Sequence, residues 1–188
     1  MRSTFPLFAL ALTISAPAPA ASELVSLPAF RSVELRGGGE VVVRPGPAQR
    51  VTILDGSARF TRFRVGRDGQ LRIDACVERC PRNYHLRIDI VSPRVPGLAV
   101  AGGGSIRAAP GFAAQSQLSA AVNGGGSVDA RAVDARNVSA AVNGGGLVTV
   151  RPRRSLSAAV NGGGEIRYLG NPQVAMAVHG GGVVRPAR

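Results

Sequence analysis

Between Leu118 and Asn123 the chain reads Leu-Ser-Ala-Ala-Val-Asn, so that Leu118, Ala120 and Val122 alternate with Ser119, Ala121 and Asn123. Alternation with a period of two predicts a strand with one buried face. The pattern returns along the chain. Valine stands at positions 100, 122, 142, 160 and 178, each two residues before a run of three glycines. The β-branched residues Ile106, Val128, Val148, Ile166 and Val184 each stand second after such a run, and Leu118, Val138, Leu156 and Val174 lie four residues upstream of the last four valines. These spacings predict columns of apolar side chains, each repeating unit lying on the next.

The glycine runs punctuate the columns. They comprise Gly102, Gly103 and Gly104; Gly124, Gly125 and Gly126; Gly144, Gly145 and Gly146; Gly162, Gly163 and Gly164; and Gly180, Gly181 and Gly182. Their first members are separated by 22, 20, 18 and 18 residues, and an earlier run begins at Gly37. Repetition at this period marks stacked units too small to bury an apolar face alone. Helix is a poor alternative, because each glycine costs about 1 kcal/mol against alanine in a helix interior and valine-rich flanks favour strands. Three glycines instead make a corner where neighbouring coils approach too closely for side chains. The expected fold is all-β, a right-handed parallel β-helix-like solenoid stacked at roughly 4.8 Å per rung.

The residue before each run is Ala101, Asn123, Asn143, Asn161 and His179. Asn123, Asn143 and Asn161 are predicted to form a structural ladder that satisfies turn amides; lining a binding surface is the alternative. The N-terminal half is less regular. A first unit spans "FRSVELRGGGEVVVRPG", and further strands are expected at 50–54, 61–65, 70–75 and 84–91, with 92–98 leading into the regular stack.

Cys76 and Cys80 are the two cysteines of the chain. An even pair in an exported protein is expected to bond, and bridging residues four apart requires the chain to turn between them, since disulfide Cα atoms sit within about 7 Å. The expectation is a disulfide-closed hairpin between strands 70–75 and 84–91. A redox pair or a metal site is the alternative, with His85 as the nearby ligand candidate.

Address and charge narrow the function. Arg2, the apolar stretch 5–14 and Ala18-Pro19-Ala20 read as a secretory signal peptide over residues 1–20. Residues 21–188 then form a single exported domain, periplasmic or extracellular, with no membrane anchor expected after cleavage. The net charge is +12, carried entirely by arginine because the chain contains no lysine, and removing Arg2 leaves +11. Such a field attracts anionic surfaces, although arginine used to the exclusion of lysine also fits codon bias.

Several chemistries fit badly. "GGGSIR" lacks the Lys-Ser/Thr pair of a phosphate-binding loop, and no run precedes a helical pattern. Calcium-binding nonapeptide repeats need an aspartate that is missing here. No cofactor is implied. The acidic residues are scattered and no serine sits in a nucleophile elbow. Phe60 and Phe63 among Arg59, Arg62, Arg64 and Arg67 come nearest to a nucleic-acid platform, yet the stretch also reads as an amphipathic strand pair with solvated charges. Arg107, Arg167 and Arg185 share one repeat position and are the candidate ligand contacts.

The motif "F..V.L.GGGEV.V..G" around 30–46, "LRID" at Leu71, "LRIDIVSP" at Leu86, the recurring GGGxV/I corners and "IRYLGNPQV" followed by "GGGVV" together resemble the putative auto-transporter adhesin head GIN domain family. Members more often carry Gly-Ser-Gly where this chain has Gly-Gly-Gly. The resemblance implies an exported β-helix-like protein of the bacterial envelope and no established activity. Two functions follow as expectations: a non-catalytic module binding anionic glycan, lipid headgroup or an envelope protein, or a β-helix enzyme acting on acidic polysaccharide.

Overall fold

The computed structural model describes residues 22–187; the expected signal peptide lies outside the described residues. Fifteen strands and no helix occur among them: β1 (Glu23–Val25), β2 (Ser32–Gly37), β3 (Glu40–Pro45), β4 (Arg50–Asp55), β5 (Thr61–Val65), β6 (Gln70–Ala75), β7 (Arg87–Ser92), β8 (Gly97–Gly102), β9 (Ser105–Ala108), β10 (Gln115–Gly124), β11 (Ser127–Gly144), β12 (Leu147–Asn161), β13 (Glu165–Tyr168), β14 (Gln173–His179) and β15 (Val183–Pro186). All belong to one curled open sheet.

The sheet has two arms. One runs β5-β6-β2-β8-β10-β11-β12-β14, and the other β1-β4-β7-β3-β9-β11-β12-β13-β15. The long strands β11 and β12 belong to both arms; the register between them shifts at Ala130/Asp134, where the chain passes from one arm to the other. From β2 to β14 and from β7 to β15 every pairing is parallel.

The apolar columns lie where the spacing puts them. Val100, Val122, Val142, Val160 and Val178 are successive partners on one arm, and Ile106, Val128, Val148, Ile166 and Val184 on the other. Leu118, Ala120 and Val122 are buried, while Ser119 and Asn123 are exposed. The period of two therefore sorts the side chains between the core and the outer surface.

The N-terminal unit joins the same stack, but not at its end. Leu35 pairs with Val100 on one side and Ile73 on the other, and Val41 lies between Ile106 and Ile88. The chain thus lays down β2 and β3 first, adds the 70–92 coil on one side, and then builds the regular units on the other. The antiparallel strands β1, β4 and β5 close the end beyond the 70–92 coil.

This order corrects the expected hairpin. Cys76 and Cys80 are bonded, with Cα atoms 5.7 Å apart, but the flanking strands β6 and β7 do not pair with each other. Each belongs to a different arm, against β2 and β3 respectively. A Cβ placed on Gly37 would meet Ala75 O at 3.2 Å, and one on Gly39 would meet Leu86 Cβ at 3.0 Å. The disulfide segment is therefore an enlarged corner of its coil, packed on the triglycine corner of the next. The aromatic groups there are occupied in packing: Phe60 and Tyr84 rings lie 5.6 Å apart edge to face, and Phe63 packs against the core.

Candidate functional site

Strand alternation turns Arg107, Asp129, Thr149, Arg167 and Arg185 into register partners on one arm. Two rungs separate Arg107 from Arg167, so the three arginines form no single cluster. Arg107 approaches Glu40 at 4.0 Å, whereas Arg167 and Arg185 converge on Glu165, the former at 2.7 Å. Thr149, between them, is only 2% exposed. Neighbouring arginines are also engaged, Arg44 with Asp89 and Arg131 with Asp129. Along this face the guanidinium groups are largely spent on carboxylates of the adjoining residues.

The hydrogen bond from Arg167, then that from Arg185, holds the Glu165 carboxyl down at about 2. A carboxyl whose folded value lies below its unfolded value stabilises the fold above the unfolded value and ceases to do so as pH falls. The contribution of this group is therefore complete above about pH 4.5 and fades as pH approaches 2. Comparing acid unfolding of the parent with Glu165→Gln checks this. The variant should show a shallower loss of stability across that window, and identical profiles would contradict the assignment.

The other arm presents small side chains and the asparagine ladder. Asn143 donates to Asn123 Oδ1 at 2.9 Å, and Asn161 donates to Asn143 Oδ1 at 2.9 Å. The turn amides do not use this ladder. Gly126 N–H donates to Gly102 O at 2.8 Å, Gly145 N–H to Gly124 O at 3.1 Å, and Leu147 N–H to Gly126 O at 3.0 Å. Corner bonds to corner through the backbone alone, and the exposed asparagines bond to one another.

Cys76 and Cys80 border a recess of about 580 Å³ that also includes Glu40, Asp55, His85 and Arg87. With both sulfurs in the disulfide, neither thiol is available as a metal ligand or redox donor in this state. Among the described residues no group of three His, Cys, Asp or Glu side chains is placed to hold a metal ion.

A larger recess, about 720 Å³, lies where the stack's irregular and regular parts meet. Its lining includes Arg31, Arg94, Gln49, Gln115, Gln117 and Asn137, and contains no carboxylate. Gln49 braces the wall by accepting from Phe30 N–H at 3.0 Å and donating to Phe30 O at 2.7 Å. Asn137 donates to Ser116 O at 3.4 Å and accepts from Ser155 at 2.8 Å. Gln115 Nε2 is buried with no acceptor, and neither Arg31 nor Arg94 forms an ion pair with a described residue. Buried donors are ordinarily satisfied. A carboxylate-free hollow with spare donors is suited to a ligand rich in acceptor oxygens. None of these residues belongs to the repeating columns that mark the sequence. The polar stretch "QSQ" interrupting the alternation at Gln115 was the available signal, but Arg31 and Arg94 reach it only through folding.

Comparison with known proteins agrees with this architecture. Residues 112–172 match the family model described as putative auto-transporter adhesin, head GIN domain. This stretch, about a third of the chain, is similar to the GIN domain. It includes β10 to β13 and the asparagine ladder, and the resemblance read from the motifs is borne out. A crystal structure of a putative adhesin from Bacteroides fragilis matches with 19% identity and a TM-score of 0.55, covering 90% of this chain and 99% of that one. One from Parabacteroides distasonis, also a putative adhesin, shows 16% identity and a TM-score of 0.45 over 89% of this chain and 96% of that one. The Bacteroides structure shares the fold of this chain. No curated protein matches the chain.

Proposed function

We propose that the chain is an exported, non-catalytic, adhesion-like module of the bacterial envelope, built as a right-handed β-solenoid, that binds an anionic glycan or lipid headgroup in the recess beside Arg31, Arg94 and Gln115. The observation that carries this reading is the surplus of donors: two guanidinium groups without ion-pair partners and a buried amide without an acceptor line one hollow that holds no carboxylate. The shared chemistry of the two ligand sources is a set of anionic oxygens, which guanidinium groups receive in paired hydrogen bonds. Parallel in-register pairing and nested glycine corners support the solenoid reading. The N-terminal sequence pattern and the family description support export to the periplasm or cell surface.

Binding to immobilised heparin and to vesicles containing an anionic phospholipid, each at two salt concentrations, tests the reading and distinguishes the sources. Arg31→Ala combined with Arg94→Ala should weaken binding about tenfold or more, while Arg167→Ala combined with Arg185→Ala should change it far less. The opposite ranking would place the ligand on the arginine column and remove the recess. A product screen on acidic polysaccharides accompanies the assay, and reproducible cleavage would replace this function with the enzymatic one.

A further inference from the structure

The two ends of the stack are finished differently. One is covered by antiparallel β1, β4 and β5, and the strand at the end of the first arm, β5, carries Arg62 and Arg64. At the other end, β14 pairs only with β12 and β15 only with β13. Each therefore presents an unpaired edge among the described residues. Among the described residues, three of the four exposed large apolar side chains are here: Met176 at 58%, Val178 at 38% and Val183 at 46%. Open strand edges are commonly guarded by charge or proline. In β15, Pro186 removes one donor and Arg185 adds a charge, but β14 contains no Asp, Glu, Lys, Arg or Pro.

The sequence of β14 differs from that of the rungs before it in a particular way. Where β10 and β12 read Leu-Ser-Ala-Ala-Val and β11 reads Val-Ser-Ala-Ala-Val, this one reads Val-Ala-Met-Ala-Val, the same in both directions about Met176. The changes fall on both faces, and outward Ser119, Ser139 and Ser157 give way to Ala175. Inward, Leu118 and Leu156 give way to valine at Val174, as already at Val138, and the buried alanines 120, 140 and 158 give way to Met176.

We propose that this edge is the interface of a homodimer, in which β14 pairs antiparallel with β14 of a second copy across a two-fold axis at Met176. An isologous contact requires a surface complementary to itself. Antiparallel pairing about Met176 sets Val174 opposite Val178 of the other copy, Ala175 opposite Ala177, and Met176 opposite its own counterpart. Gln173 meets His179, and no like charges oppose each other along the strand. That neutrality matters in a chain of net charge +12, because approach of two copies elsewhere must overcome repulsion. The pairing continues the apolar columns of one copy into those of the other and occupies backbone groups that β14 otherwise leaves to water.

The full chain, expressed in an exporting bacterial host, is examined by sedimentation velocity over a range of concentrations, and separately with Met176→Arg and Met176→Cys. The parent should pass from monomer to a species of doubled mass. Met176→Arg places two guanidinium groups on the axis and should raise the dissociation constant at least about 100-fold without changing the circular dichroism spectrum. Met176→Cys should give a covalent dimer under mild oxidation, because residues directly opposite have Cβ atoms about 4.5–5.5 Å apart; Gln173→Cys, which meets His179 instead of itself, should not. A parent monomeric at every concentration, open-ended polymers instead of dimers, or a dimer indifferent to Met176→Arg would each overturn the proposal. These readouts concern mass and cross-linking alone, so they are independent of any ligand.

Discussion

Gly144→Ala and Gly146→Ala are each expected to cost about 3 kcal/mol of stability or more, while Gly145→Ala between them leaves it within about 0.5 kcal/mol. The three neighbours differ in surroundings. Gly144 has φ +114, outside the range an alanine adopts comfortably, and a Cβ there would lie 2.7 Å from Gly124 O of the adjoining corner. Gly146 has no such dihedral demand, but its Cβ would collide with Val122 Cγ1 and come within 2.6 Å of Gly126 O. Backbone cannot step aside as a side-chain tip can, because that same corner holds the hydrogen bonds from Gly145 and Leu147. A Cβ on Gly145 meets nothing within 4 Å. Urea unfolding of the three variants reads the difference; similar losses for all three would show that the corners are not nested.

The second large effect is expected at Leu35. Leu35→Ala should destabilise by about 2–5 kcal/mol, the range for truncating a fully buried leucine in a core that relaxes incompletely. Leu35 has no exposed surface and lies between Ile73 and Val100. Its Cδ2 also approaches Gly104, where a Cβ would stand 2.6 Å away. The cavity would therefore open between the 70–92 coil and the regular units, with well-packed walls on both sides. In the monomer, Val178→Ala on the last rung should cost less than about 1 kcal/mol because that side chain is already partly in water. Equal losses from Leu35→Ala and Val178→Ala in chemical unfolding would mean that the N-terminal coil is not interior to the stack.

Both expectations depend on how the stack is ordered, and here sequence and fold contributed separately. Alternation in "LSAAVN" and the valines before each glycine run specify which side chains turn inward, because a strand side chain has only two faces to choose from. Repetition then sets Val122 beside Val142 and Val142 beside Val160, since each unit's best neighbour is another copy of itself. The glycine corners were legible for the same reason. The cysteine pairing was legible too, but its setting was not: a short turn can join two strands of one hairpin or, as here, carry the chain from one arm to the other.

Sequence alone determined the all-β class, the apolar columns and the corners where successive coils nest, because those depend on residue type and a local period. Tertiary structure alone decided that the first coil lies inside the stack, that Arg167 and Arg185 share Glu165, and that Arg31, Arg94 and Gln115 gather at one recess. The reason is that these arrangements join segments outside the repeat or far apart along it. No period brings such segments together; they meet only where packing and chain closure leave them.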